Sequence, residues 1–104
     1  MTPLVVLITC RDKREGKKIA RKLVGEGLAA CVNLTGLDSV YRWKGKVEET
    51  SECLLIVKTS GGRFEKLRRK VREIHSYKLP EIIGIQIGKG DREYLRWLSE
   101  STSG

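Results

Sequence analysis

The feature that most constrains this chain is the stretch from Leu28 to Thr59, whose pattern is typical of one long β-hairpin turning at residues 43–46. Each of its strands reaches roughly 12 to 15 residues, whereas strands in globular proteins usually run about 5 to 6. At about 3.3 Å per residue, such a hairpin extends roughly 40 to 50 Å and protrudes from any small domain. A two-stranded ribbon is marginal alone in water, and its exposed edges pair readily with other chains. The hairpin therefore predicts assembly with further copies of the same chain.

The apolar residues of the first hairpin strand change parity half-way along it. Val32 and Leu34 share one parity, whereas Leu37 and Tyr41 fall on the other. Because side chains alternate between the two faces of a strand, one continuous apolar face requires an extra residue where the parity changes. We therefore predict a β-bulge or kink near Gly36.

The return strand of the hairpin has two halves of different character. A two-residue turn at Lys44-Gly45 leads into the acidic residues 48–52, and residues 53–57 are then apolar at every position. A run that is apolar on both parities is typical of a central strand covered on both faces. The second half of the return strand is therefore predicted to lie inside the sheet.

The segments on either side of the hairpin complete the order βαββαβ with a final helix. Asp12 can cap the first helix, with Glu15 three residues on as in a capping box. The predicted elements are a strand at Thr2–Thr9, a helix at Lys13–Glu26, a helix through Phe64 that ends near His75, a strand at Glu81–Ile87, and a helix capped by Asp91, with residues 101–104 frayed. This order predicts an α+β ferredoxin-like βαββαβ sandwich with a C-terminal helix and a long protruding β-hairpin, as one domain of residues 1–104.

Charge, hydropathy and cysteine content exclude several classes of protein. The formal net charge is +8, but most basic residues fall on the two long predicted helices as solvated faces. The two predicted central strands, at residues 5–8 and 54–57, are aliphatic throughout and lack the aromatic residues with which sheets bind RNA, so nucleic acid is not an expected partner. No apolar run is long enough to span a membrane, and residues 1–8 predict a first strand and not a signal peptide. Three scattered cysteines predict a reducing, cytoplasmic setting.

Catalytic motifs are missing from the sequence. It has no Gly-x-Ser-x-Gly, no phosphate-binding loop and no nucleophile with an adjacent base. The chain is therefore predicted not to be an enzyme, and no organic cofactor is implied.

Metal binding is limited by the number of soft ligands. A tight copper or zinc site requires about three or four nitrogen or sulfur donors, and the chain has one histidine and three cysteines. His75 and Cys31 are the candidate ligands, and a trimer could bring in others. The alternative for His75 is a residue at a helix C-terminus, where the dipole favours its cation. Further candidate donors are Cys53 and the carboxylates of Glu48, Glu49 and Glu52.

A second set of residues combines one acid, one base and several aromatic rings at strand ends. It comprises Trp43, Lys58, Tyr77, Glu81 and Trp97. These side chains predict a pocket between subunits that holds a small polar ligand. The alternative is an interface salt bridge surrounded by aromatic anchors, which are common in protein interfaces.

Several short motifs, in order along nearly the whole chain, resemble those of the CutA family of divalent-cation tolerance proteins. They are Ala30-Cys31-Val32-Asn33, Tyr41-x-Trp43-x-Gly45, Lys58-Thr59, His75-x-Tyr77-x-x-Pro80-Glu81 and Tyr94-x-x-Trp97. The resemblance implies a cytoplasmic homotrimer of ferredoxin-like subunits, related in architecture to the PII signalling proteins, with hairpins that pack across subunit boundaries. It also implies a role in metal tolerance, with copper binding and no catalytic reaction.

Departures from the family pattern bear on the predicted site. Ser76 stands where the family has proline, which we expect to loosen the backbone before Tyr77. Ile74 and Ile8 stand where some members have a second histidine and a cysteine, so His75 is the remaining soft ligand of that set.

Two functions follow from these residues. The first is a homotrimeric protein of the response to metal ions that binds Cu(II) or another divalent cation. The second is a PII-like module that binds a small molecule, or serves as a scaffold, without catalysis.

Overall fold

The computed structural model describes residues 1–103 and has the predicted order of strands and helices. The elements are β1 (Pro3–Cys10), α1 (Lys13–Gly25), β2 (Cys31–Trp43), β3 (Lys46–Ser60), α2 (Phe64–Ile74), β4 (Ile82–Gln86) and α3 (Arg92–Thr102), with a short 3-10 turn at Gly61–Arg63. The first helix ends one residue before its predicted end. Among residues 1–103, no helix is both long enough and apolar enough to cross a membrane.

The four strands form one antiparallel sheet in the order β2-β3-β1-β4. Alternation along the strands gives the sheet two different faces. The covered face packs under α1 and α2 and is buried and almost wholly apolar, with Thr59 as its buried polar residue. Its apolar residues include Val6, Ile8, Cys10, Cys53, Leu55 and Val57, which meet Ile19, Leu23, Leu67 and Val71. The position of β1 and β3 at the centre of the sheet confirms the prediction made from their aliphatic runs.

The open face of the sheet carries the alternate residues of the same strands. They are Val5 and Leu7 on β1, Leu54 and Ile56 on β3, and Ile83 and Ile85 on β4. The residues on β1 and β3 are half-buried, and Ile83 and Ile85 are each 49% exposed to solvent. The prediction that residues 53–57 are covered on both faces therefore holds for only one face within a single chain.

The hairpin pairs without interruption from Cys31 opposite Lys58 to Trp43 opposite Lys46. The predicted bulge at Gly36 is therefore wrong. Val32 and Leu34 pack against the core, whereas Leu37 and later residues of that parity lie on the open face. The apolar residues change parity because the helices no longer cover the strand, and the backbone itself stays regular.

The distal part of the hairpin, residues 37–52, is called the arm below. Every residue from Val40 to Ser51 is exposed, and the molecule measures 44 × 26 × 21 Å. The two-residue turn at its tip is confirmed, with positive φ angles of 50° at Lys44 and 80° at Gly45. A glycine suits the second of these positions because it has no side chain to clash in the left-handed region.

The end of α3 is more ordered than the sequence predicts. Helix α3 continues to Thr102, whose side chain is buried and whose hydroxyl donates to the Leu98 carbonyl at 2.9 Å. Arg63 Nε also donates to the Thr102 carbonyl at 2.6 Å. The predicted fraying of residues 101–104 is therefore wrong for Ser101 and Thr102, while Gly104 lies outside the described residues.

Candidate functional site

A cavity of about 650 Å³ lies between the arm and the segment that follows α2. Its lining includes three of the five predicted pocket residues, Trp43, Tyr77 and Glu81. The aromatic ring of Tyr41 and the carboxylate of Glu52 complete the part that combines apolar and acidic groups. We call this cavity the arm pocket. Two basic residues, Arg42 and Lys78, also line it, so its two carboxylates, two cations and three aromatic rings give it the character of a site for a small polar ligand.

Tyr77 is held by two hydrogen bonds, one from its side-chain hydroxyl and one from its backbone N–H. Its hydroxyl donates to Glu52 Oε2 at 2.7 Å, which links the segment after α2 to the arm. Its backbone N–H donates to Nδ1 of His75 at 3.0 Å. Burial raises the pKa of the Tyr77 hydroxyl, and the hydrogen bond to Glu52 raises it further, so the group remains a donor.

His75 uses both of its ring nitrogens in hydrogen bonds. Nε2 lies 2.8 Å from the Thr9 carbonyl, which can only accept, so Nε2 carries the proton and donates. Nδ1 is then the unprotonated nitrogen that accepts from the Tyr77 N–H. A metal ion requires an unprotonated ring nitrogen with a free lone pair. His75 can therefore bind a metal only after one of these two hydrogen bonds is broken.

Cys31, Lys58 and Trp97 lie together with Tyr94 in a group that we call the α3 cluster. Cys31 and Lys58 are opposite each other on β2 and β3. Burial first, and then the Cys31 thiol, raise the pKa of Tyr94, whose ring lies 5.3 Å from that of Trp97. The structure therefore divides the predicted pocket into two groups, with Lys58 and Trp97 away from the arm pocket.

The two candidate metal ligands are also separated within one chain. His75 contacts Thr9, near the end of β1, whereas Cys31 is opposite Lys58, which pairs with Val5. Thr9 and Val5 are about 13 Å apart along the strand at about 3.3 Å per residue. Across residues 1–103 there is no group of three or more His, Cys, Asp or Glu side chains placed to hold a metal ion. These ligands do not form one site within a single chain.

The other two cysteines, which include the candidate donor Cys53, lie in the core. Cys10 and Cys53 are opposite each other on β1 and β3, and both are buried. Burial, followed by the neighbouring Cys53 and Glu15, raises the pKa of the Cys10 thiol to about 12. Cys10 is therefore a neutral thiol in the core, and its proton disfavours metal binding.

Glu15 is the residue of this region that sequence reasoning missed, because it was assigned only to helix capping. Asp12 does cap α1, accepting from the Glu15 N–H at 2.9 Å. The Glu15 carboxylate accepts from the Arg11 N–H at 2.9 Å and, across the fold, from the N–H and hydroxyl of Ser76 at 2.8 and 2.9 Å. The end of β1 pairs with the start of β4, which places the start of α1 beside the end of α2. The predicted topology was therefore the signal that could have indicated a contact between Glu15 and Ser76.

The electrostatics of Glu15 follow from those contacts. Burial by itself raises its pKa, but the hydrogen bonds from Arg11 and Ser76 outweigh burial and lower the pKa from its ordinary value. The sequence predicts a looser backbone at Ser76. Instead, the N–H and hydroxyl of Ser76 donate two hydrogen bonds to the buried Glu15 carboxylate. The turn that carries Tyr77 is therefore attached to α1.

Comparison with known proteins gives a family match over most of the chain. The sequence profile of the CutA1 divalent ion tolerance protein family matches residues 4–101. A divalent-cation tolerance protein CutA from Thermus thermophilus is 50% identical over 99 residues, covering 94% of this chain and 96% of the relative. The chloroplastic protein CutA of Arabidopsis thaliana is 46% identical over 100 residues, covering 95% of this chain but 55% of the plant protein.

Solved structures agree with the sequence matches. A divalent cation tolerance protein from Thermus thermophilus superposes with a TM-score of 0.95 at 49% identity, covering 97% of this chain and 99% of the other. A protein from Archaeoglobus fulgidus, described as a periplasmic divalent cation tolerance protein, gives a TM-score of 0.95 at 37% identity, covering 99% of this chain and 100% of the other.

Proposed function

Because the chain belongs to the CutA1 divalent ion tolerance family, we propose that it works as a homotrimer of ferredoxin-like subunits in the response to divalent metal ions. The observation that carries this proposal is the open face of the sheet. Val5, Leu7, Leu54 and Ile56 are only half-buried there, and Ile85 is about half exposed. A contiguous apolar surface of this kind marks a protein interface. Further copies that cover this face and the arm would bury it.

The oligomeric state is measured by native mass spectrometry of protein purified without chelator, which reports subunit number and bound metal together. We expect a trimer. The variant Ile85→Glu places a charge on the open face and should shift the population to smaller species, whereas Val24→Glu, on an exposed position of α1, should leave the trimer intact. A monomeric wild-type protein would contradict the proposal.

Copper or another divalent cation is the proposed ion, with His75 and Cys31 as candidate ligands. Since one chain keeps these residues apart and both nitrogens of His75 are in use, a shared site would take its ligands from different copies. Titration of the trimer with Cu(II) tests each residue through His75→Ala and Cys31→Ala. Unchanged stoichiometry and affinity in both variants would exclude these two residues as ligands.

The second candidate function is binding of a small molecule, as in a PII-like module, and the arm pocket favours it. In a ring of three copies, opposite ends of one face meet on neighbouring subunits. The α3 cluster, with Lys58, would then lie against the arm pocket of the next copy, beside Glu52 and Glu81, and restore the predicted intersubunit pocket. Both candidate functions are binding functions, and the three free cysteines favour a cytoplasmic setting.

A thermal-shift screen of nucleotides and small anions against the wild type and Glu81→Ala tests the pocket. A ligand of the pocket should raise the Tm of the wild type and lose that effect in the variant. Equal shifts in both proteins would place the ligand elsewhere.

A further inference from the structure

The segment that presents Tyr77 to the arm pocket is short and lies outside the helices and strands. It consists of His75, Ser76 and Tyr77, directly after the end of α2. Such a segment has no ladder of backbone hydrogen bonds to fix it, so its position depends on individual contacts. The contacts it makes form one continuous series from α1 to the arm.

The series begins at the carboxylate of Glu15, a residue that is 7% exposed. Its two oxygens accept from three donors, which are the Arg11 N–H, the Ser76 N–H and the Ser76 hydroxyl. A glutamine at position 15 offers one acceptor oxygen in place of two, and its amide group would face donors. Because Glu15 is buried, although Ser76 reaches the surface, water replaces a lost partner only in part. The three donors therefore favour an ionised carboxylate over an amide at this point.

The series continues through His75 to Tyr77 and ends on the arm. Fixing Ser76 fixes the adjacent His75, whose Nε2 donates to the Thr9 carbonyl at 2.8 Å. That bond leaves Nδ1 as the acceptor for the Tyr77 N–H at 3.0 Å. The Tyr77 hydroxyl then donates to Glu52 at 2.7 Å. Each bond determines the orientation of the next group, and the last group is a wall of the arm pocket.

We propose that Glu15 is a positioning residue for the arm pocket, acting through Ser76 and His75 to hold Tyr77 against Glu52. The proposal rests on the proposed role of the arm pocket in ligand binding. It assigns His75 a role in orienting the pocket through the tautomer that the Thr9 carbonyl selects. It also assigns Ser76 a role that proline could not fill, because proline has no N–H to donate to Glu15.

The chain has one histidine, so the imidazole ¹⁵N spectrum reports on His75 without assignment. In the wild type without ligand, we expect one tautomer with the proton on Nε2. Glu15→Gln and Ser76→Pro should shift the Nδ1 resonance, because the Tyr77 N–H is no longer held at Nδ1, while the Thr9 carbonyl keeps the proton on Nε2. Ser76→Thr keeps both donors and should restore the wild-type spectrum. Asp91→Ala, which removes the cap of α3, is the control for a loss of stability elsewhere.

The outcomes separate a positioning role from a merely structural one. Glu15→Gln and Asp91→Ala should both lower Tm, but only Glu15→Gln should change the His75 spectrum. If Glu15→Gln and Ser76→Pro lower Tm and leave the Nδ1 resonance unchanged, the proposal is wrong. If Glu15→Gln does not fold, Ser76→Pro and Ser76→Thr decide, since Ser76 lies at the surface. The measurement needs no ligand, so its result stands apart from the thermal-shift screen that tests the pocket.

Discussion

The covered and open faces of the sheet are built from alternate residues of the same strands, yet they meet different demands. On β3, Leu55 and Val57 are fully buried under the helices, whereas their neighbours Leu54 and Ile56 are half-buried. The apolar character of the two sets is the same. The covered face therefore holds the single chain together, and the open face carries apolar residues that one chain cannot bury. Substitutions that act on one face at a time separate folding from assembly.

The largest difference is expected between Leu55→Ala and Ile56→Ala. Leu55 is fully buried between the sheet and the helices, so its truncation should cost about 2 to 5 kcal/mol of unfolding free energy. This loss should not depend on protein concentration. Ile56→Ala should act mainly through assembly, so its effect should shrink when the protein is diluted below the concentration at which the proposed trimer would form. Urea unfolding at several protein concentrations measures both, and equal concentration dependence would remove the distinction between the faces.

The spacing of α1 from the covered face depends on Gly16. A Cβ at this position would lie 2.9 Å from Leu34 Cδ2 and 3.0 Å from Cys53 Sγ, which is closer than ordinary contact. Gly16→Ala should therefore force either these side chains or α1 to shift, and should cost about 1 to 3 kcal/mol.

Gly25 is the matched control in the same helix, because a Cβ there meets nothing within 4 Å. Gly25→Ala should be neutral or stabilise by up to about 1 kcal/mol through the loss of unfolded-state entropy. Thermal unfolding of the two variants compares them directly. A Tm for Gly16→Ala equal to that of the wild type would show that α1 can shift without loss.

Acid should weaken the covered side of the molecule through Glu15. Because its pKa is lowered in the folded state, its contribution to stability is present above the unfolded pKa and is lost as pH falls through the folded pKa. The unfolding free energy of the wild type should therefore decrease as the pH is lowered below the ordinary range of carboxylate pKa values. Glu15→Gln should make this pH dependence weaker.

The control for the acid experiment is Glu65→Gln. The pKa of Glu65 is also lowered, chiefly by its hydrogen bond to Arg68, but this pair is exposed to solvent. Exposed ion pairs contribute little to stability, so Glu65→Gln should change the pH dependence less than Glu15→Gln. If the unfolding free energy of the two variants depended equally on pH, the contacts between Glu15 and Ser76 would not contribute to the pH dependence of stability.

The parts of this fold that sequence predicts well are those set by local pattern. Aliphatic runs identify β1 and β3 as the central strands, and Asp12 and Asp91 cap their helices because capping depends on the next three residues. The parity change at Gly36 was misread as a backbone irregularity. Parity records which face is apolar, but it does not record what lies against that face.

Contacts between distant segments were harder to predict. The sequence grouped Lys58 and Trp97 with Trp43, Tyr77 and Glu81, whereas one chain places the first two in the α3 cluster. The bond between Glu15 and Ser76 joins residues 61 positions apart, so no local pattern encodes it. Thr102 was assigned to a frayed end because its polar neighbours conceal its buried contact with Ser60.

The smallest predicted effect lies at the tip of the arm, far from the covered face. Lys44 has a positive φ of 50°, which costs an ordinary side chain energy and which asparagine tolerates better. Lys44→Asn should therefore stabilise the turn by a few tenths of a kcal/mol, up to about 1 kcal/mol.

The control for the turn is Lys44→Ala, which also removes the lysine amine from its place over the Trp43 ring, 5.9 Å from the ring centroid, but keeps the unfavourable φ. Backbone hydrogen exchange along the arm measures the change locally, and the global unfolding free energy should move less. The arm unfolds separately from the covered face only if it has its own cooperativity. If Lys44→Asn slowed exchange equally in the arm and in the core of β3, the arm and the covered face would form one folding unit, and the open face would take part in the stability of the single chain.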